Sequence, residues 1–262
     1  MKKYKILVIV ICLIFTVGLV GCAGDTGSVE PFEKHIINYD NGFMTDEGAT
    51  SYDGIGDHFD SPYFKPLDVF NMESTDTLTV IPEFATYQQS SEYSCGAATA
   101  LMVLHHYGVT DYDEQTIVDL AEVSDETGVG VDGLEKFFAG IGWDIERSVA
   151  GEETFSWETD DAPDMTFAKW VQDNLEAGTP IMVDWLDWAG HWQAIIAYDT
   201  MGTDHFGDDV IIMADPYDTS DHYQDGYFTV SAERFFYMWR EGVSTKAEPE
   251  PQPWIIATPP EE

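Results

Sequence analysis

The spacing of apolar positions changes near residue 180, and the two regimes predict two kinds of structure. Before that point the pattern is helical. Residues 95–107 carry an almost unbroken apolar run, Cys95-Gly96-Ala97-Ala98-Thr99-Ala100-Leu101-Met102-Val103-Leu104, which reads as a buried helix stopped at Gly108. Helical spacing returns at 113–123 and at 131–139, closed by Gly140, with Gly128-Val129-Gly130 making the break between them. Short strands are expected at 77–82, ended by Pro82, and at 143–149. After an acidic loop at 151–164, residues 166–177 read as an amphipathic helix closed by Gly178. Beyond it, residues 180–185, 191–198, 209–214 and 227–230 read as strands joined by Asp- and Gly-rich turns, including a hairpin loop at 200–208, and 232–239 as a last helix. Helices first and strands later predict an α+β fold, a helical half packed on an antiparallel sheet.

The ends follow other rules. Residues 1–21 carry Lys2, Lys3 and Lys5 and then an apolar run at 6–20, the charged and apolar regions of an export signal. The run closes in Leu19-Val20-Gly21-Cys22, which resembles a lipobox and makes Cys22 the expected site of a diacylglycerol anchor. Two acyl chains are about what stable attachment needs, so the chain is expected on a membrane, facing away from the cytoplasm. Residues 22–75 read as an acidic spacer, partly ordered near 63–70, whose scattered aromatics Tyr52, Phe59, Tyr63 and Phe64 raise the question of whether it covers a cleft. The folded domain is expected at 76–242. A Pro-rich acidic tail, 243–262, should be extended at 248–253, with Trp254, Ile255 and Ile256 able to dock on the body.

Charge narrows the partners. The chain has 49 acidic and 11 basic residues, a net charge of −38, which argues against nucleic acid. It fits a solvated acidic surface, a surface rich in divalent cations, or a field that draws in basic substrates. Two acidic turns, Asp204, His205, Asp208, Asp209 and Asp218, Asp221, His222, Asp225, are candidates for calcium, though neither has the EF-hand pattern. No cofactor is implied. His105 and His106 read as a packed or surface pair on the Cys95 helix.

The chain has three cysteines. Cys12 lies in the signal and Cys22 at its end, which leaves Cys95 as the single thiol of the exported domain and rules out a disulfide within it. A thiol at a helix N-terminus sees the positive end of the macrodipole, which favours the thiolate that attacks. A thiolate needs an imidazole, and the imidazole needs an acceptor that orients it. His191, after Gly190 at the start of an apolar strand, is the expected imidazole, and Asp215, at the end of the next strand in Ala214-Asp215-Pro216, the expected acceptor. Gln89, six residues before Cys95, would donate its amide to the developing oxyanion together with the Cys95 backbone N–H, with Gln88 as its competitor. Trp185, Trp188 and Trp192 flank His191 as cleft or core aromatics.

With Gln89, Cys95-Gly96-Ala97-Ala98, Gly190-His191-Trp192 and Ala214-Asp215-Pro216 in this order, the chain resembles the C39-like peptidases of the papain-like cysteine protease superfamily, over roughly residues 80–239. The resemblance implies a papain-like fold and peptide-bond hydrolysis through a thioester. Better-known C39 domains clip double-glycine leader peptides and are fused to ABC transporters, whereas this sequence shows neither a P-loop GxxxxGK[ST] nor a membrane-spanning domain. Leader processing is therefore not implied, and peptides or proteins at the cell surface are the expected substrates. Two other classes compete: a non-catalytic lipoprotein that keeps the cleft to bind peptides or proteins, and a calcium-dependent envelope protein. An amine in place of water would make the same residues a transferase.

Overall fold

Helix α1, Cys95–His106, forms from alanines and unbranched apolar residues that lose little freedom in a helix, and ten of its residues, 95–104, are buried. A helix apolar on every side belongs inside a protein. Leu101, Met102 and Leu104 have no exposed surface, and burying each contributes roughly 1.5–3 kcal/mol. The helix ends at Tyr107, after which Gly108 turns left-handed at φ +77°. These coordinates come from a computed structural model that describes residues 31–38, 48–49, 61–220, 223–240 and 251–260.

Helix α2, Glu114–Leu120, starts where Asp113 accepts a hydrogen bond from the Thr116 N–H, and it stops short of the expected end at 123 because Glu122 turns left-handed. Helix α3 spans Val131–Gly140. Helix α4, Pro163–Glu176, begins three residues before the expected start, since a proline fits the first helical position, where no N–H is needed. Helix α5 is Ala232–Arg240.

Among the described residues, seven strands form one antiparallel sheet. They are β1 Leu78–Val80, β2 Asp144–Arg147, β3 Ile181–Trp185, β4 His191–Asp199, β5 Val210–Ala214, β6 Tyr227–Ser231 and β7 Trp254–Thr258. The order is β2-β7-β3-β4-β5-β6, with β1 also paired to β4. One edge of β4 is shared: β3 covers residues 191–195 and β1 covers 197–199. Consecutive residues from His191 to Tyr198 are all buried, so both faces of β4 are covered, which explains its run of apolar residues without alternation. Helices α1 and α4 both pack on β4, and α5 packs on β3 and β6. The expected α+β arrangement, a helix carrying Cys95 against a sheet carrying His191 and Asp215, is the one observed.

The C-terminal segment departs from expectation. Residues 254–258 do more than dock as the end of a tail: β7 is an interior strand between β2 and β3. Its approach is fastened by Gln252, which accepts from the Phe155 N–H and donates to the Phe155 carbonyl, and by the Trp239 indole, which donates to the Pro253 carbonyl. The sheet therefore draws on residues beyond the expected boundary at 242. The prolines before the strand give it the look of a linker, while Trp254-Ile255-Ile256 supplies the aromatic and β-branched residues a strand favours.

Part of the expected spacer also packs on the body. Ile36 bridges Thr86, the Tyr223 hydroxyl donates to the Phe32 carbonyl, and His35 stacks on Phe70 at 3.5 Å. Within 63–70, Val69 is buried while Tyr63 is 85% exposed. Cys12, Cys22 and the whole expected export signal lie outside the described residues. Among the described residues, no helix is long and apolar enough to cross a membrane.

Candidate active site

Cys95 is the first residue of α1, and the Ser94 side chain before it makes no capping hydrogen bond. The Ser94 hydroxyl instead accepts from the Ser91 hydroxyl at 2.7 Å and lies 3.3 Å from the Ser91 carbonyl. The helix ladder begins with Ala98 N–H to the Ser94 carbonyl, so the first-turn N–H groups beside the sulfur have no partner within the helix. Cys95 is 9% exposed and lines a cleft of about 440 Å³.

His191 opens β4, opposite Trp185 in the register of β3. Its Nε2 lies 2.7 Å from Asp215 Oδ1, and both side chains are buried. The Cys95 sulfur is the ring's other polar neighbour. Burial opposes charging this ring, but the Asp215 carboxylate and the Cys95 sulfur outweigh it and hold the imidazole well above its ordinary value. The structure thus brings Cys95, His191 and Asp215 into one chain from α1, β4 and the end of β5. Thr99 fixes the spacing between helix and strand, its Oγ1 lying 2.9 Å from both the Cys95 and the Trp192 carbonyls.

Asp215 is itself held on several sides. Its Oδ1 also accepts from the Tyr217 N–H at 2.8 Å, its N–H donates to the Gly226 carbonyl, and its carbonyl accepts from Gln88 Nε2 at 2.9 Å. Gln88 is thereby accounted for as a clamp, its Oε1 accepting from the Asp218 N–H at 3.2 Å. The Gln89 N–H donates to the Pro216 carbonyl at 2.8 Å. The Gln89 side chain is buried in its own loop: Nε2 donates to the Ser91 carbonyl at 2.6 Å and Oε1 has no hydrogen-bond partner. Gln89 is not among the residues that line the cleft, so the expected oxyanion donor has one amide hydrogen already committed.

The cleft runs between the two halves of the fold. Tyr93 and residues 125–131 form the helical side, and Trp188, Gly190 and Trp192 the sheet side. Trp192 is buried and its indole donates to the Val129 carbonyl at 2.8 Å, which ties the two walls together. Trp188 is 64% exposed and packs on Tyr217 at 5.4 Å, while Trp185 is buried against Phe235 away from the cleft. Trp188 (φ 51°), Ala189 (φ 66°) and Gly190 (φ 135°) are three successive left-handed residues that turn the chain into His191. Such strain in non-glycine residues persists only where the surroundings enforce it.

Two carboxylates escaped sequence reasoning. Asp187 faces His191 and Asp215; burial pushes its carboxyl up, His191 draws it down and Asp215 pushes it up again. Glu114, fully buried on α2, faces the loop before Cys95. Nothing in the local pattern marks either among the acidic residues of this chain, and Glu114 reads simply as the acidic first turn of a helix.

The acidic turns make local bonds. His205 Nδ1 accepts from the Gly207 N–H, Asp208 accepts from Thr203 Oγ1, Asp209 accepts from the Tyr198 hydroxyl, and Asp218 accepts from the Ser220 and Gly226 N–H groups. Asp221 and His222 lie outside the described residues. Among the described residues, no three His, Cys, Asp or Glu side chains form a group that could hold a metal ion. His106 packs, its Nε2 2.8 Å from the Gly178 carbonyl.

Over 79 residues, 29% of this chain, the sequence is 40% identical to the Lactococcus lactis subsp. lactis protein described as lactococcin-G-processing and transport ATP-binding protein LagD. The match spans about a tenth of that relative's length. A solved structure of the peptidase domain of Streptococcus ComA, described as a bi-functional ABC transporter involved in a quorum sensing pathway, aligns at 17% identity and a TM-score of 0.44, covering 68% of this chain and 99% of that one. The model of the Peptidase_C39 like family matches residues 81–244, which takes in α1 with Cys95, β4 with His191 and Asp215 beyond β5; with more than half of its length matched, the chain belongs to that family.

Proposed function

We propose that the protein is a cysteine peptidase whose nucleophile is Cys95. The observation that carries this reading is the buried, hydrogen-bonded pair of His191 and Asp215 set beside the thiol at the start of α1, where Cys95 lines a cleft. His191 takes the thiol proton, and the thiolate attacks the scissile carbonyl carbon. The charge that develops on the carbonyl oxygen is met by the Cys95 backbone N–H at the start of α1. As the tetrahedral species collapses, the C–N bond breaks and the imidazolium gives its proton to the leaving amine. Water, activated by the same imidazole, then releases the acid from the thioester. Asp215 orients the ring and stabilises its charged form.

Peptides or proteins at the cell surface are the substrates this reading favours, because Leu19-Val20-Gly21-Cys22 supports export and a lipid anchor on Cys22. A test is incubation of the full chain with a degenerate peptide library, with new termini read by mass spectrometry. New termini that disappear in Cys95→Ala are expected. Identical products from wild type and Cys95→Ala, or none from either, would leave a binding role for the cleft and overturn catalysis.

A further inference from the structure

Glu114 is the one fully buried glutamate among the described residues, and it forms no ion pair there. Burying a carboxylate is costly unless its oxygens are met by donors. Here the donors all come from one short stretch. Oε2 accepts from the Tyr87 hydroxyl at 2.9 Å and from Ser90 Oγ at 2.6 Å, and the Ser90 N–H lies 3.1 Å from Oε1 and 3.3 Å from Oε2. The Ser94 hydroxyl also faces this carboxyl. That stretch, 87–94, contains Gln89 and ends at the N-cap of the helix that begins with Cys95.

The loop is clamped from two directions. Asp215 and Pro216 hold the backbone and side chain of Gln88 and Gln89 through their carbonyls. Glu114 holds the following peptide: its bond to the Ser90 N–H sets the plane of the Gln89–Ser90 peptide, and its contacts with Ser90 and Ser94 bracket the turn that leads to the thiol. Gly48 leaves no slack on a further side, since a Cβ there would lie 2.3 Å from the Ser90 carbonyl carbon. Burial raises the Glu114 carboxyl, and its four hydroxyl and backbone donors pull the other way. A hydrophobic residue at this place would serve core packing with no such cost, so a carboxylate here answers to the loop's polar groups.

We infer that Glu114 is a positioning residue for acyl transfer: it holds the 87–94 loop so that the Cys95 N–H, at the loop's end, points at the oxyanion. This rests on the peptidase reading above. The role differs from support of the fold because it predicts a loss confined to reactions that form an oxyanion.

Two small reagents separate these with no knowledge of the natural substrate. Iodoacetamide alkylates the thiolate by displacing iodide from a saturated carbon and forms no oxyanion. With p-nitrophenyl acetate, the sulfur adds to a carbonyl, an oxyanion forms, and p-nitrophenolate leaves as the acetyl thioester is made. Both rates are measured at Cys95 on the full chain, with Cys95→Ala subtracted, for wild type, Glu114→Gln and Tyr87→Phe. In Glu114→Gln the acylation rate should fall by about tenfold to a hundredfold, the lower side of what losing an oxyanion donor costs, while alkylation stays within about twofold. Tyr87→Phe, which removes one donor to Glu114 and keeps the ring, should show a smaller loss of the same selective kind and serves if Glu114→Gln does not fold. Variants that acylate as fast as wild type, or that lose both reactions in parallel, overturn the proposal alone. Wild type that acylates no faster than a free thiol overturns the peptidase reading, and this proposal with it.

Discussion

Gly96 shows how little room surrounds the thiol. A Cβ at this position would lie 2.3 Å from Val129 Cγ1 and 3.1 Å from Trp192 Cδ1, so the wall that Trp192 and Val129 build across the cleft needs a glycine beside Cys95. Gly96→Ala should lower stability by about 1–3 kcal/mol through overpacking, seen as a fall in melting temperature; an unchanged melt would mean that the wall is not packed on α1 as described. His191 makes a second claim at this scale. Its folded-state value is raised, so the stability it draws from Asp215 is fully present below the ordinary imidazole value of 6.5 and is lost as pH rises through the raised one. The stability lost in Asp215→Asn should therefore be larger near about pH 6 than near about pH 10, by denaturant titration. A loss independent of pH would contradict a charged His191 in the native state.

At the scale of elements, β7 is the sharpest test. Ile255 is fully buried and paired with both Arg147 and Met182, so Ile255→Ala should cost about 2–5 kcal/mol. A residue on an extended tail would cost less than about 0.5 kcal/mol, and chemical denaturation separates the two outcomes. The same strand marks where sequence reasoning ran out. Helix α1 and strand β4 were legible because each carries a long, mainly apolar run and is bounded by glycine, at Gly108 and Gly190. In β7 five strand-forming residues follow a proline-rich run, and local composition cannot say that a gap between β2 and β3 awaits them. The catalytic candidates were legible for a related reason: a thiol at a helix start, a histidine at a strand start and an aspartate at a strand end each stand at a boundary that the pattern reveals. Glu114 has no such mark, because its significance lies in burial against residues more than twenty positions away in sequence. Nor could spacing foresee that Gln88 would fasten Asp215 or that Gln89 would bond to Ser91.

Taken whole, the molecule carries a net charge of −38, and surface ion pairs among the described residues, such as Lys136 with Glu122 and Lys169 with Asp173, offset little of it. Self-repulsion on that scale destabilises the compact state and is screened by salt. The melting temperature should climb as sodium chloride is raised from about 0.01 M to about 1 M, over which the screening length drops from about 30 Å to about 3 Å. A flat response would mean that the acidic surface is already compensated. At the centre of the fold that bears this charge, α1 meets the start of β4, so that a thiol stands beside a buried imidazole.

That meeting can be measured directly by the pH dependence of iodoacetamide alkylation at Cys95, read by peptide mass mapping in the full chain and in His191→Ala. A thiolate–imidazolium pair predicts alkylation in the wild type that stays rapid down to about pH 6 and slows there by at least about tenfold when His191 is removed. A thiol that reacts with the pH profile of a free cysteine in both proteins, or identically with and without His191, would contradict the account.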